Sequence, residues 1–160
     1  VTAALRNILA LQPEYTTLHI SGGRRMLENC VKEKIKANSS TKLIGVTMLT
    51  SFDDKEISEI GFRDSVPDSI NKLAGLANDC GLDGLVCSPL EAKKIKSDFP
   101  QLKLIVPGIR RSSDETNDQK RILSANEAII NGADILVIGR PITESSDPAK
   151  AAEELSNEIQ

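Results

Sequence analysis

Five short clusters of small, hydroxylic or cationic residues recur along the chain. They are His19-Ile20-Ser21-Gly22-Gly23, Thr47-Met48-Leu49-Thr50-Ser51, Cys87-Ser88, Pro107-Gly108-Ile109-Arg110 and Gly139-Arg140-Pro141-Ile142-Thr143. Their chemistry suits a phosphate monoester: glycine lets the backbone approach an anion, helix starts offer spare N–H donors, and an arginine fork matches phosphate oxygens. Arg110 and Arg140 are the sharpest candidates, with Gly139 baring the backbone beside Arg140. Each cluster alone is weak, because Gly and Pro end strands in every kind of protein and an Arg there is usually solvated. His19 has no carboxylate or serine partner nearby in sequence and reads more simply as a structural histidine. Ser21-Gly22-Gly23 lacks the Lys-Ser/Thr of a P-loop. Asp53-Asp54-Lys55-Glu56 and Lys93-Lys94-Ile95-Lys96 read as solvated helix faces.

The elements that must carry these clusters follow from hydrophobic spacing. Leu5, Ile8, Leu9 and Leu11 trace a helix that Pro13 stops. Residues 15–20 are rich in β-formers and run into the glycine pair, predicting a first strand, and Met26, Leu27, Cys30, Val31 and Ile35 form the next helical stripe. KLIGVTML at 42–49 is apolar on both faces, as a buried parallel strand is. Residues 57–61 form an acidic helical turn, and Pro67-Asp68 starts a helix through Ile70, Leu73, Ala74 and Ala77. Further strands are expected over 81–87, 102–106 and 133–138, and helices over 90–99, 125–130 and 147–159, with Asn131-Gly132 a C-terminal helix stop. A polar loop fills 110–119. Five strands alternating with helices imply right-handed crossovers and a parallel sheet. A complete eight-stranded β/α-barrel takes about 250 residues, so 160 residues fit either five-eighths of a barrel or a small flavodoxin-like doubly wound sheet. In both, ligands collect where the five clusters stand, at the C-terminal ends of the strands.

Composition narrows the class. The chain has 39% hydrophobic residues and a net charge of −3, from 20 Lys plus Arg against 23 Asp plus Glu. It therefore forms a core but lacks the basic footprint of a nucleic-acid binder, so an anionic ligand needs local cations. No apolar run approaches a membrane span, and Val1 opens on an amphipathic stretch, so a soluble cytoplasmic protein is expected. Cys30, Cys80 and Cys87 are odd in number and never spaced C-x-x-C, which predicts buried reduced thiols and no zinc site. A chain opening with Val in a helical pattern is expected to be a piece of something longer.

The joint order of motifs resembles bacterial-type orotidine 5′-monophosphate decarboxylases. His19-x-Ser21-Gly22-Gly23, Val46-Thr47-x-Leu49-Thr50-Ser51, Gly81-Leu82-Asp83-Gly84-x-Val86-Cys87-Ser88, Pro107-Gly108-Ile109-Arg110, Asp118-Gln119-Lys120-Arg121 and Gly139-Arg140-Pro141-Ile142-Thr143 match that family in sequence and spacing across the whole chain. The resemblance implies an α/β fold, a (β/α)8 TIM barrel truncated here to about strands four to eight, with residues 1–160 a single C-terminal portion. It implies conversion of orotidine 5′-monophosphate to UMP and CO2 in de novo pyrimidine biosynthesis, without cofactor or metal. Residues matching Arg110, Gln119, Gly139 and Arg140 hold the substrate phosphate in the family, and the one matching Thr50 lies against the nucleotide. Arg111 stands where the family usually has Pro, and the polar segment 112–117 resembles a lid that carries Gln119 onto the phosphate.

The family's catalytic Asp-x-Lys-x-x-Asp run is absent: Asp53-x-Lys55 is followed by Ser58, and Asp118-x-Lys120 by Leu123, where the second Asp should be. No catalytic residue is expected in this chain; the run is expected upstream of Val1. Homodimerisation is implied as well, with Thr50-Ser51 at the subunit boundary and Phe52 partly covered there by a partner rather than by its own core. The competing readings are another phosphate-binding barrel of the same superfamily, a hexulose-phosphate synthase or keto-acid phosphate decarboxylase, and a catalytically silent phosphate-binding fragment.

Overall fold

A computed structural model describes residues 1–110 and 123–159. Five strands, β1 (Tyr15–His19), β2 (Lys42–Val46), β3 (Gly84–Val86), β4 (Lys103–Val106) and β5 (Ile135–Leu136), form one sheet in the order β1-β2-β3-β4-β5, parallel throughout. Sequential order is that of a barrel wall; the flavodoxin-like alternative would place the second strand outside the first. The sheet is curled. Tyr15 in β1 and Lys103 in β4 are three strands apart, about 14 Å in a flat sheet whose side chains stand perpendicular to it. Yet Lys103 Nζ donates to Tyr15 Oη at 3.4 Å and lies 5.7 Å from the ring centroid.

Helices fill the crossovers: α1 (Thr2–Ala10), α2 (Arg24–Lys36), α3 (Asp54–Glu59), α4 (Val66–Asp79), α5 (Pro89–Asp98), α6 (Ala125–Ile130), α7 (Arg140–Thr143) and α8 (Pro148–Asn157). The inward stripe of α4, with Val66, Ile70, Leu73, Ala74 and Ala77 buried, has the three- and four-residue spacing of one helix face. Leu43, Ile44, Leu85 and Leu104 of the sheet are fully buried, as expected of strands covered on both faces. Gly132, at φ +96°, carries the turn out of α6 in a conformation that disfavours side chains. At Gly84 a Cβ would lie 2.3 Å from Lys103 O, so the close approach of β3 to β4 requires glycine.

Three strands are shorter than their apolar runs. Two shorten at their beginnings for one reason. Asp83 N donates to Leu43 O at 3.0 Å while its Oδ2 accepts from Leu43 N at 2.8 Å. Asp134 N likewise donates to Leu104 O at 3.0 Å while its Oδ2 accepts from Leu104 N at 2.7 Å. A carboxylate stands where a backbone carbonyl would continue the ladder, so β3 starts at Gly84 and β5 at Ile135. A helix lysine closes each clamp: Lys34 Nζ at 2.6 Å from Asp83, Lys96 Nζ at 2.8 Å from Asp134. At the other end, β2 runs to Val46, and Thr47 N still donates to Val86 O at 3.2 Å, where β3 ends before α5.

The acidic turn expected at 57–61 begins earlier, as α3. Asp53 is no solvated face residue: it accepts from Glu56 N while Glu56 accepts from Asp53 N, both at 2.9 Å, a reciprocal cap. Asp54 Oδ1 also takes the N–H of Val66 at 2.7 Å, tying α3 to the start of α4. Phe52 is half-buried against the chain's own core, which corrects the expectation that its own core leaves it uncovered. Cys30, Cys80 and Cys87 are buried free thiols, and desolvation pushes those of Cys30 and Cys80 up. No helix among the described residues is long and apolar enough to cross a membrane.

Candidate phosphate-binding site

Arg110 is built into the protein. After β4, Pro107 and Gly108 turn the chain and Ile109, fully buried, forms a parallel bridge with Leu123. Arg110 N donates to Leu123 O at 3.1 Å, and Leu123 N to Gly108 O at 3.4 Å, so the exit of β4 is pinned to the segment entering α6. The Arg110 side chain is only 6% exposed. Its Nη1 donates to Ile109 O at 2.8 Å, which fixes the plane of the guanidinium, while the buried Nη2 has no hydrogen-bond partner. No carboxylate among the described residues pairs with it. A buried cationic donor left unpaired is costly unless something else brings the acceptor, and a phosphate oxygen would be one.

Arg140 stands at the corresponding place on the next strand. Val106 is in register with Leu136, so Arg110 and Arg140 each lie four residues beyond a registered pair on adjacent strands. Gly139-Arg140-Pro141, expected as a turn, instead starts the one-turn helix α7, with Pro141 in its opening turn, and the N–H groups of Ile142 and Thr143 reach back to Gly139 O. Arg140 is half-buried; Gly139 is exposed, and the space a Cβ would take beside it is open.

The structure thus places Arg110 and Gly139-Arg140 at the exits of neighbouring strands. Thr50 is half-buried in a turn closed by Phe52 N donating to Leu49 O at 3.0 Å, at the exit of β2, two strands from β4. Gln119 falls outside the described residues, as do Arg111, the segment 112–117 and Asp118-Gln119-Lys120-Arg121. His19 ends β1 with its side chain exposed and no hydrogen bond among the described residues, so it is not a satisfied structural histidine. Ser21-Gly22-Gly23 closes a single 3-10 turn (Ile20–Gly22). Among the described residues no three His, Cys, Asp or Glu side chains gather as a metal-ligand set.

Sequence reasoning quoted Thr47 within a motif and gave it no role. It is buried, and both its N–H (3.2 Å) and its hydroxyl (2.8 Å) donate to the carbonyl of Val86, the last residue of β3. A hydroxyl ending an otherwise apolar strand run was the available signal. Ser88, the buried cap of α5, accepts from Leu90 N at 3.3 Å and donates to Glu91.

A curled parallel sheet in sequential order is the wall of a β/α-barrel, and arginines stand at the exits of its last two strands. Residues 1–155 match the model of the "Orotidine 5′-phosphate decarboxylase / HUMPS family". Similar curated proteins include the orotidine 5′-phosphate decarboxylases of Coxiella burnetii, 43% identical over 162 residues (99% of this chain, 69% of the relative), and Ehrlichia chaffeensis, 46% identical over 157 residues (97% and 67%). Among solved structures, the orotidine 5′-phosphate decarboxylase of Lactobacillus acidophilus superposes with a TM-score of 0.82 at 31% identity, over 99% of this chain and 69% of that one. The chain belongs to the orotidine 5′-phosphate decarboxylase / HUMPS family.

Proposed function

We propose that this chain is the phosphate- and nucleotide-binding part of an orotidine 5′-phosphate decarboxylase, corresponding to strands four to eight of its barrel. The observation that carries the reading is Arg110, fixed through one guanidinium nitrogen and left with a second buried and unpartnered, beside a strand exit that bears Gly139 and Arg140. The relatives' names favour the decarboxylase over a hexulose-phosphate synthase or keto-acid phosphate decarboxylase. Arg110, Arg140 and the bare backbone at Gly139 hold the phosphate, Gln119 adds a ligand from the following segment, and Thr50 lies against the nucleotide.

In this reaction the bond from C6 of the pyrimidine to its carboxylate breaks. CO2 leaves, the electron pair stays on C6, and a proton is delivered there. An ammonium placed among carboxylates stabilises that charge by preorganised electrostatics, and it belongs to the Asp-x-Lys-x-x-Asp run outside this chain. The phosphate grip is remote from the breaking bond, yet its binding energy orients the substrate and drives closure, so it contributes to rate as well as affinity. The active enzyme is a cytoplasmic homodimer with Thr50-Ser51 at the subunit boundary, binding UMP and its precursor and neither nucleic acid nor membrane. Loss of ultraviolet absorbance by orotidine 5′-monophosphate tests this directly. A protein combining this chain with the upstream run turns the substrate over and the 160 residues alone do not; turnover by the 160 residues alone contradicts the placement of the chemistry.

A further inference from the structure

His19 is the chain's only histidine, and its side chain is exposed with no hydrogen bond among the described residues. The register says which way it faces. Side chains alternate along a strand and registered neighbours share a face, so His19 lies on the same face as Tyr15 and Thr17. Pairing carries Thr17 through Ile44 and Gly84 to Lys103, the lysine whose ammonium reaches Tyr15 across the curl. That face is therefore the concave one, and Leu18, between Thr17 and His19, is buried on the other. Two residues nearer the strand exits, the same pairing joins His19 to Val46, Val86, Ile105 and Ile135. One imidazole and four apolar side chains thus form a single row along the inner wall. Arg110 and Arg140 each stand five residues beyond a member of that row, Ile105 and Ile135. The imidazole consequently lies across the concavity from the two arginines.

We infer that His19 is a substrate-binding residue, its imidazole making a hydrogen bond to the part of the nucleotide remote from the phosphate. The inference deepens the decarboxylase reading above and rests on it. A small-molecule site orients its ligand with a few polar groups set in an apolar wall. With the phosphate held at the exits of β4 and β5, the rest of the molecule lies along the row, whose apolar members fit a base or sugar face but offer no hydrogen bond. The imidazole is the row's one polar group and carries a donor and an acceptor on one ring, which suits the oxygens and N–H groups of a ribose or a pyrimidine. The rival is that His19 touches no ligand and is covered, in the complete barrel, by the strand beside β1, so that it affects stability alone.

The test is made in the complete enzyme, with titration calorimetry for UMP, NMR titration for uridine, and thermal melting of the same samples. His19→Leu keeps much of the side-chain bulk and removes both ring nitrogens. The expected result is that it weakens UMP and uridine by the same factor, about three- to tenfold, the worth of one hydrogen bond. In the wild type, uridine should also shift the His19 ring resonance, which is assigned by its absence from the variant. A lower melting temperature with unchanged affinities, weakening of UMP alone, or a ring resonance that saturating uridine leaves in place would each overturn the proposal. If His19→Leu does not fold, His19→Ala is read by the same criteria. A wild-type enzyme that binds neither UMP nor uridine removes the functional reading itself, whereas a wild type that binds both, with His19→Leu unaffected, removes only this inference.

Discussion

Replacing Asp134 by alanine removes the clamp that fixes where β5 begins. Two bonds disappear, from Leu104 N at 2.7 Å and from Lys96 Nζ at 2.8 Å. Leu104 is fully buried, so its N–H loses a charged acceptor, a loss of about 1.5 to 3 kcal/mol by the usual scale. The lysine pair, with side chains 31% and 34% exposed, is screened by water and adds about 0 to 1 kcal/mol. Water entering at that exposed edge recovers part of the first contribution, which leaves about 2 kcal/mol for Asp134→Ala and about half of that for Asp134→Asn, whose amide oxygen still accepts from Leu104 N. Burial works against the charge of Asp134, but the Leu104 N–H and the Lys96 and Lys103 ammonium groups outweigh it and hold the carboxyl below its ordinary range. A depressed folded-state pKa stabilises the fold above the unfolded value and loses that contribution as pH falls through the folded one. Urea unfolding from pH 8 to pH 3 should therefore show a constant gap between wild type and Asp134→Asn down to about pH 4, closing below it. Asp83→Ala, which breaks the equivalent clamp on Leu43, should cost a similar amount. A stability change under about 0.5 kcal/mol for Asp134→Ala, or a gap to Asp134→Asn that widens in acid, would refute the reasoning.

Arg110→Met replaces a buried charge, paired with no carboxylate among the described residues, by an apolar chain of similar length, so the melting temperature without ligand should hold or rise, while UMP should no longer raise it. A large fall without ligand and a retained UMP shift would contradict this. The thiols of Cys30, Cys80 and Cys87 should resist a disulfide reagent at pH 8 in the native protein and react together in urea, because all three are buried and desolvation disfavours the thiolate of Cys30 and Cys80. Rapid native labelling of any one of them would show that its burial is transient.

The strands were legible in sequence because parallel strands buried on both faces are short apolar runs between turn signals, as at KLIGV and KLIV. Their ends were not, since periodicity cannot tell that the Asp83 and Asp134 side chains replace backbone acceptors. The cap at Asp53 was written in the Asp-x-x-Glu spacing and masked by its charges, which read equally as a solvated face. At the site, the residue types and their places at strand exits were readable, and the sequential strand order sets Arg110 and Arg140 on neighbours. The burial of Arg110 was not: it depends on Ile109 bridging to Leu123, a contact between segments with no signature in either. That Phe52 packs on its own core was not legible either, because aromatic type says nothing about which surface covers a side chain.

The central claim is that Arg110 and Arg140 grip one phosphate, and Arg140→Ala tests it most directly. Titration calorimetry of the complete enzyme with UMP and with uridine separates the phosphate from the rest of the ligand. The claim predicts that Arg140→Ala weakens UMP about tenfold or more, the worth of a charge-assisted hydrogen bond, and leaves uridine unchanged. Equal weakening of both ligands would show Arg140 to be structural and would contradict the phosphate site.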